Sequence, residues 1–289
     1  MGTAIISIIS GIAGMIGWGL YDFLGGVYTK KIGSVMSLFW SQLAGLISVI
    51  LLLFFFTINF SLPNWVLALL PIAAIVYSAG YLFFFKGFEL GNVSIVAATM
   101  NLWAVFTMLF AFVFMGQMLS LVQFLGVLMI IFGVILAALN LNNIRNRKFK
   151  ISSGIKETIF GAFFFGVFWN ISEVISEEIG WFSTTLLVKM GVVLFLLIFS
   201  FVLKQDLNIV KSTTKIKIVI VIMGVIELVA VAIVNYGLTI GDAILITPIA
   251  SALTIVTILL AIIFLKESVT RIQSLGMAIA VSGIIITAF

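Results

Sequence analysis

The chain has 289 residues, of which 63% are hydrophobic and only 9% charged, with a mean hydropathy of +1.37, and no water-soluble fold covers that much apolar surface. It contains no cysteine and no histidine, which removes disulfides, thiolate and imidazole chemistry and the commonest metal ligands. The net charge of +5 comes from short basic stretches between apolar runs, where membrane topology accounts for it and nucleic-acid binding does not.

A membrane-crossing helix needs about 20 apolar residues, and ten runs qualify: 3–27, 33–57, 63–85, 91–115, 120–140, 155–176, 180–203, 216–238, 242–265 and 269–288. The first has no Lys or Arg ahead of it, unlike a cleaved leader, and is expected to be the first span. Pro63 opens the third run at a first-turn position, where its missing N–H costs nothing. Pro248 lies inside the ninth and predicts a kink of the kind that borders a cavity. One connection, residues 141–154 in NLNNIRNRKFKISSG, is polar and basic enough to be a linker. It divides the chain into 1–140 and 155–289, five spans each.

The two parts are copies. Residues 91–136 align on 241–286 without a gap at a spacing of 150: Gly91 on Gly241, Asn92 on Asp242, Gln117 on Glu267, Gln123 on Gln273, Gly126 on Gly276 and Gly133 on Gly283. Tyr77 falls on Glu227 at the same spacing, while KKIG (30–33) answers EEIG (177–180) at 147, which sets Gln42 on Lys189. Five is odd, so the second copy enters the membrane in the opposite sense, as inverted repeats do. Every Lys and Arg except Lys189 belongs to a connection after an odd-numbered span: Lys30 and Lys31; Lys86; Arg145, Arg147, Lys148, Lys150 and Lys156; Lys204, Lys211, Lys215 and Lys217; Lys266 and Arg271. Basic short loops stay cytoplasmic, so both termini are expected outside the plasma membrane. Matched loops then face opposite sides, which explains why Lys30-Lys31 became Glu177-Glu178 and Gly116-Gln117 became Lys266-Glu267.

The motif formed by Gly241, Pro248, Glu267, Gln273, Gly276 and Gly283, together with FLKESV closing the ninth span, resembles the drug/metabolite transporter (DMT) superfamily. It is most similar to the EamA-type members, and the similarity extends over essentially the whole chain. The first copy departs from the pattern, with Ala98 where proline is common and Gln117 where an acid is common. The resemblance implies an all-α integral membrane protein of ten helices that works by alternating access. It also implies a central cavity lined mainly by spans 1, 3, 4, 6, 8 and 9, and small metabolites as substrates: amino acids, nucleosides, sugars or choline-like amines.

Ionisable groups within a bilayer cost roughly 2.5–3.5 kcal/mol each on insertion scales and so need a reason. Glu173 and Glu227 stand near the middle of their spans and are candidate substrate or proton-coupling groups; Asp22 lies nearer an end and falls within one position of Glu173 under the repeat. Lys189, on the seventh span, has two readings, a structural ion pair or an alternative substrate anchor. Trp18, Tyr21, Tyr77, Tyr81, Asn101, Trp103, Trp169, Asn170 and Asn235 complete the candidate substrate-binding set, since aromatic faces attract amines. Trp65 and Trp181 are read as interfacial anchors. The glycine pairs 126/133 and 276/283 suit close packing of helices or of subunits, in the latter case as a homodimer. The expectation is a secondary transporter of small organic metabolites, amino acids or related amines first, with no cofactor or metal and the proton as candidate coupling ion. The alternatives are a carrier of a neutral nucleoside or sugar, and a channel or lipid-translocating protein, which would show a continuous polar stripe. An embedded enzyme is disfavoured by the scattered carboxylates. Sugar phosphates and dicarboxylates are expected not to bind, because the cavity spans carry acids and no arginine.

Overall fold

Backbone in lipid must satisfy its own N–H and C=O groups, so apolar runs can only become helices or closed barrels. The computed structural model describes residues 2–58, 61–115, 120–138, 152–240, 250 and 252–287. Among these are eleven α-helices: α1 (Gly2–Ile32), α2 (Ser34–Leu51), α3 (Asn64–Leu90), α4 (Val93–Met100), α5 (Leu102–Met115), α6 (Leu121–Ala138), α7 (Ile155–Ile179), α8 (Trp181–Val202), α9 (Thr214–Ile240), α10 (Leu253–Leu265) and α11 (Arg271–Thr287). Only Asn101 separates α4 from α5, so together they make the fourth span and the eleven helices make ten spans. Among the described residues six helical segments are long and apolar enough to cross a membrane, one of them α4 and α5 together, and Leu121–Ala137, Leu253–Leu265 and Arg271–Ile286 are shorter apolar ones. Pro63 stands just outside α3 as its N-cap residue, and Pro71 is accommodated within that helix. The linker up to residue 151, Gly116-Gln117, Gly241 and Pro248 lie outside the described residues. Lys30, Lys31, Lys86, Lys215 and Lys217 sit on helix ends rather than in loops.

The helix packing has the symmetry of the repeat. α1 packs on α9 as α7 packs on α3; α2 packs on α9 as α8 packs on α3; α1 packs on α10 as α7 packs on α5. Three further pairs join matched spans: α2 with α8, α4 with α10, and α6 with α11. A two-fold relation between inverted copies produces this pattern, because matched elements meet only where the axis passes. Along α6 and α11 the glycines allow backbone-to-backbone approach. A Cβ on Gly133 would lie 2.6 Å from the Gly276 carbonyl oxygen, and one on Gly283 would lie 2.7 Å from that of Gly126. These glycine faces therefore serve close helix packing inside one chain.

The end of the bundle that carries Lys30, Lys86 and Lys266, called here the basic end, is closely packed. Phe84, Phe85 and Phe88 near the end of α3 fill it, and Tyr21, Tyr81 and Phe165 pack on from them towards mid-depth. Gly87 lies against Thr158 and Gly91 against Ser153, leaving no room for a Cβ. Glu267, following α10, accepts from Val93 N at 2.7 Å, Ser94 N at 2.9 Å and Ser94 Oγ at 2.9 Å. It thereby caps α4 of the other repeat, where a helix N-terminus favours negative charge.

Candidate functional site

Lys189 of α8, Glu227 of α9 and Tyr77 of α3 meet at mid-depth. The Lys189 ammonium donates to Glu227 Oε2 at 2.6 Å, with the two side chains only 4% and 1% exposed. Tyr77 OH donates to the other carboxylate oxygen, Oε1, at 2.9 Å. Lys189 also donates to Gln42 Oε1 at 3.0 Å, and Gln42 Nε2 donates to Tyr21 OH at 3.1 Å. Ser41 Oγ lies 3.3 Å from that phenol and donates to the Leu38 carbonyl at 3.0 Å. A buried charge pair is tolerated only when its remaining hydrogen-bonding capacity is met, and here each member has a second partner. The local cause is glycine. A Cβ on Gly45 would lie 3.3 Å from Lys189 Nζ, and one on Gly224 would lie 2.8 Å from Gly45 N, so α2 and α9 can close around the lysine.

Two of these bonds join repeat mates. Tyr77 and Glu227 are 150 positions apart, and Gln42 and Lys189 are 147 apart. Matched residues touch only near the axis relating the copies, so the charge pair sits on it. Lys189 is thus central rather than peripheral, and spans 2 and 7 contribute to the site alongside those expected. Because the centre holds one cation beside one anion, an anionic group reaching it would meet the Lys189 ammonium as well as the Glu227 carboxylate.

The other candidates divide into two groups. Tyr81 is buried with its ring 4.8 Å from Tyr77 and 4.7 Å from Phe165. Asp22, beside Tyr21, is 7% exposed and makes no hydrogen bond or ion pair among the described residues. Nearer the opposite end, Trp103 and Trp169 pair at 5.9 Å with both indoles partly exposed. Asn170 Nδ2 donates to the Gly166 and Thr107 carbonyls, which leaves its buried Oδ1 without a partner among the described residues. Glu173 is exposed. Trp18 packs on Val234 and Ala250. Asn101, at the break in the fourth span, accepts from Thr254 Oγ1 at 2.8 Å, and its Nδ2 is likewise unpartnered among the described residues. The side chain of Asn235 lies outside the described residues. Asp22 and Glu173 are not brought together: one is enclosed towards the basic end, the other open towards the opposite end. Among the described residues no cluster of potential metal ligands occurs.

Comparison with known proteins fits this architecture. The model of the EamA-like transporter family matches residues 5–139 and again 152–289. The uncharacterized protein MJ1333.1 of Methanocaldococcus jannaschii is 29% identical over 125 residues, 43% of this chain and 88% of its own length. A crystal structure with 15% sequence identity superposes with a TM-score of 0.68 over 97% of this chain and 95% of the other, which shows a common fold. With one family unit on each copy and the axis between them, the chain belongs to the EamA-like transporter family of the DMT superfamily, as a membrane transporter of two inverted five-helix repeats.

Proposed function

We infer that the protein is a secondary transporter of small organic metabolites bearing an ammonium group, amino acids or related amines, and that it works by alternating access. The observation that carries this reading is the Lys189–Glu227 pair on the axis between the repeats. A zwitterion can replace such a pair charge for charge: its ammonium takes the place of Lys189 on Glu227, and its carboxylate takes the freed lysine. Tyr77 holds the other Glu227 oxygen and Gln42 holds the lysine, so both anchors stay oriented during the exchange. Rocking of the copies about their common axis would expose this point to each side in turn. The closed basic end and the exposed Glu173 support assignment of this structure to a state accessible from the opposite end, which the charge pattern makes the outside. The proton is the proposed coupling ion, with the buried carboxylates Asp22 and Glu227 as its candidate carriers.

The test is a thermal-shift screen of the purified protein against amino acids, amines, nucleosides, sugars and sugar phosphates, since a ligand that binds the folded state stabilises it. Zwitterionic amino acids should raise the unfolding temperature, and the increase should vanish in Glu227→Gln. Stabilisation by a nucleoside or sugar and by no amine would contradict the reading.

A further inference from the structure

We propose a second binding site, separate from the axial pair, where Trp103, Trp169, Asn170 and Glu173 receive a primary ammonium carried on a flat apolar body. The inference rests on the transporter reading and specifies how a substrate approaches the centre. Trp169, Asn170 and Glu173 lie within one turn and a half of α7, so the carboxylate is one turn from the indole on the same side of the helix. Trp103 of α5 faces this group across a centroid distance of 5.9 Å. Both amide hydrogen bonds of Asn170 go to carbonyls, at 2.8 and 3.2 Å, which fixes its orientation and leaves Oδ1 buried and unpartnered among the described residues. Glu173 makes no hydrogen bond or ion pair among the described residues. Two indole faces, an unpartnered amide oxygen and a free carboxylate all favour a hydrogen-bond-donating cation.

Glu173 lies six residues short of the end of α7, roughly 9 Å along the helix, too deep for a solvated loop residue. Its place in the other copy supports a pathway rather than a lipid-facing position. Trp18 and Asp22 precede Trp169 and Glu173 by one common offset, and Asp22 is buried inside the bundle. The two Trp–acid pairs are thus one device in two states, closed at Asp22 and open at Glu173. Phe168 connects the outer site to the axis, with its ring 5.3 Å from Trp169 and 4.5 Å from Tyr77, the hydroxyl of which holds Glu227. Among the described residues the Phe168 ring thus touches both the outer indole and the tyrosine that holds the charge pair.

Calorimetric titration of the full-length protein in lipid nanodiscs with phenethylamine, and with its uncharged N-acetyl derivative, tests the site. Phenethylamine should bind saturably and the N-acetyl compound should not. Its affinity should fall by about tenfold or more in Trp169→Ala and in Glu173→Gln, the latter an exposed position that leaves folding intact. Phenethylamine has no carboxylate to take the freed lysine and so cannot replace the axial pair charge for charge; in the double variant Lys189→Met/Glu227→Gln its affinity should stay within about twofold of the parent, as for independent sites. Loss of binding in that double variant, with none in Trp169→Ala or Glu173→Gln, would place the amine at the axis alone, overturning the outer site and leaving the transport reading intact. No binding of phenethylamine to any form overturns the outer site as well, while stabilisation by zwitterionic amino acids tests the axial reading independently.

Discussion

Removing one member of the axial pair should cost more than removing both. In Lys189→Met the Glu227 carboxylate stays 1% exposed with the Tyr77 hydroxyl as its remaining partner. Breaking a buried pair in this way costs about 3–5 kcal/mol. For a chain of this size that corresponds to a fall in unfolding temperature of roughly 6–10 °C. Glu227→Gln is milder, about 2–3 kcal/mol, because the new amide and Gln42 still accept from the lysine, although through neutral oxygens. The double variant carries neither charge, and its loss should shrink to about 1–2 kcal/mol. Thermal unfolding of the four purified proteins in one detergent measures these differences, and uptake into liposomes made from the same preparations separates stability from function. The double variant should regain stability without regaining transport. Single variants as stable as the parent would show that the pair does not hold the bundle together; a double variant that transports normally would make the charges structural and move the substrate chemistry elsewhere.

Other substitutions probe neighbouring parts of the account. Glu267→Ala removes three hydrogen bonds from the start of α4 and should destabilise the protein by about 1–3 kcal/mol in the same unfolding assay, whereas Glu267→Gln should retain part of the cap. Gly224→Val would drive a side chain into the Ser41 carbonyl and Gly45 N of α2, and should abolish folded, monodisperse protein on size-exclusion chromatography. The absence of native cysteine allows the orientation to be mapped by single-cysteine labelling of intact cells: Glu178→Cys should react with an impermeant reagent and Lys211→Cys should not, and the reverse pattern would invert the assigned topology.

The spans were legible because hydropathy alone determines where a helix can cross lipid, and the expected boundaries of α6 and α8 lie within about two residues of those observed, whereas α2 ends at Leu51, short of the expected 57. Asn101 shows the limit of that signal. The fourth run has neither Gly nor Pro at its centre, so nothing in its hydropathy marks the break there. The repeat already set Tyr77 on Glu227 and Gln42 on Lys189, yet alignment says only that positions are equivalent. That equivalent residues touch follows from where the axis runs, which depends on side-chain packing between α2, α3, α8 and α9. Lys189 was accordingly readable as a charge needing a partner, while the partner was not, since no local pattern states which faces of α8 and α9 meet. The Glu267 cap was hidden for a related reason: its acceptor role depends on contact between residues 173 and 174 positions apart.

Counterflow in proteoliposomes tests the central claim most directly, because a carrier with an alternating site exchanges labelled for unlabelled substrate and a channel does not. Vesicles preloaded with an unlabelled amino acid that stabilises the protein should accumulate the labelled form transiently above its equilibrium level. That overshoot should disappear in Lys189→Met and in Glu227→Gln. A flux that rises to equilibrium without an overshoot, or an overshoot unchanged in both variants, would contradict transport through the Lys189–Glu227 centre.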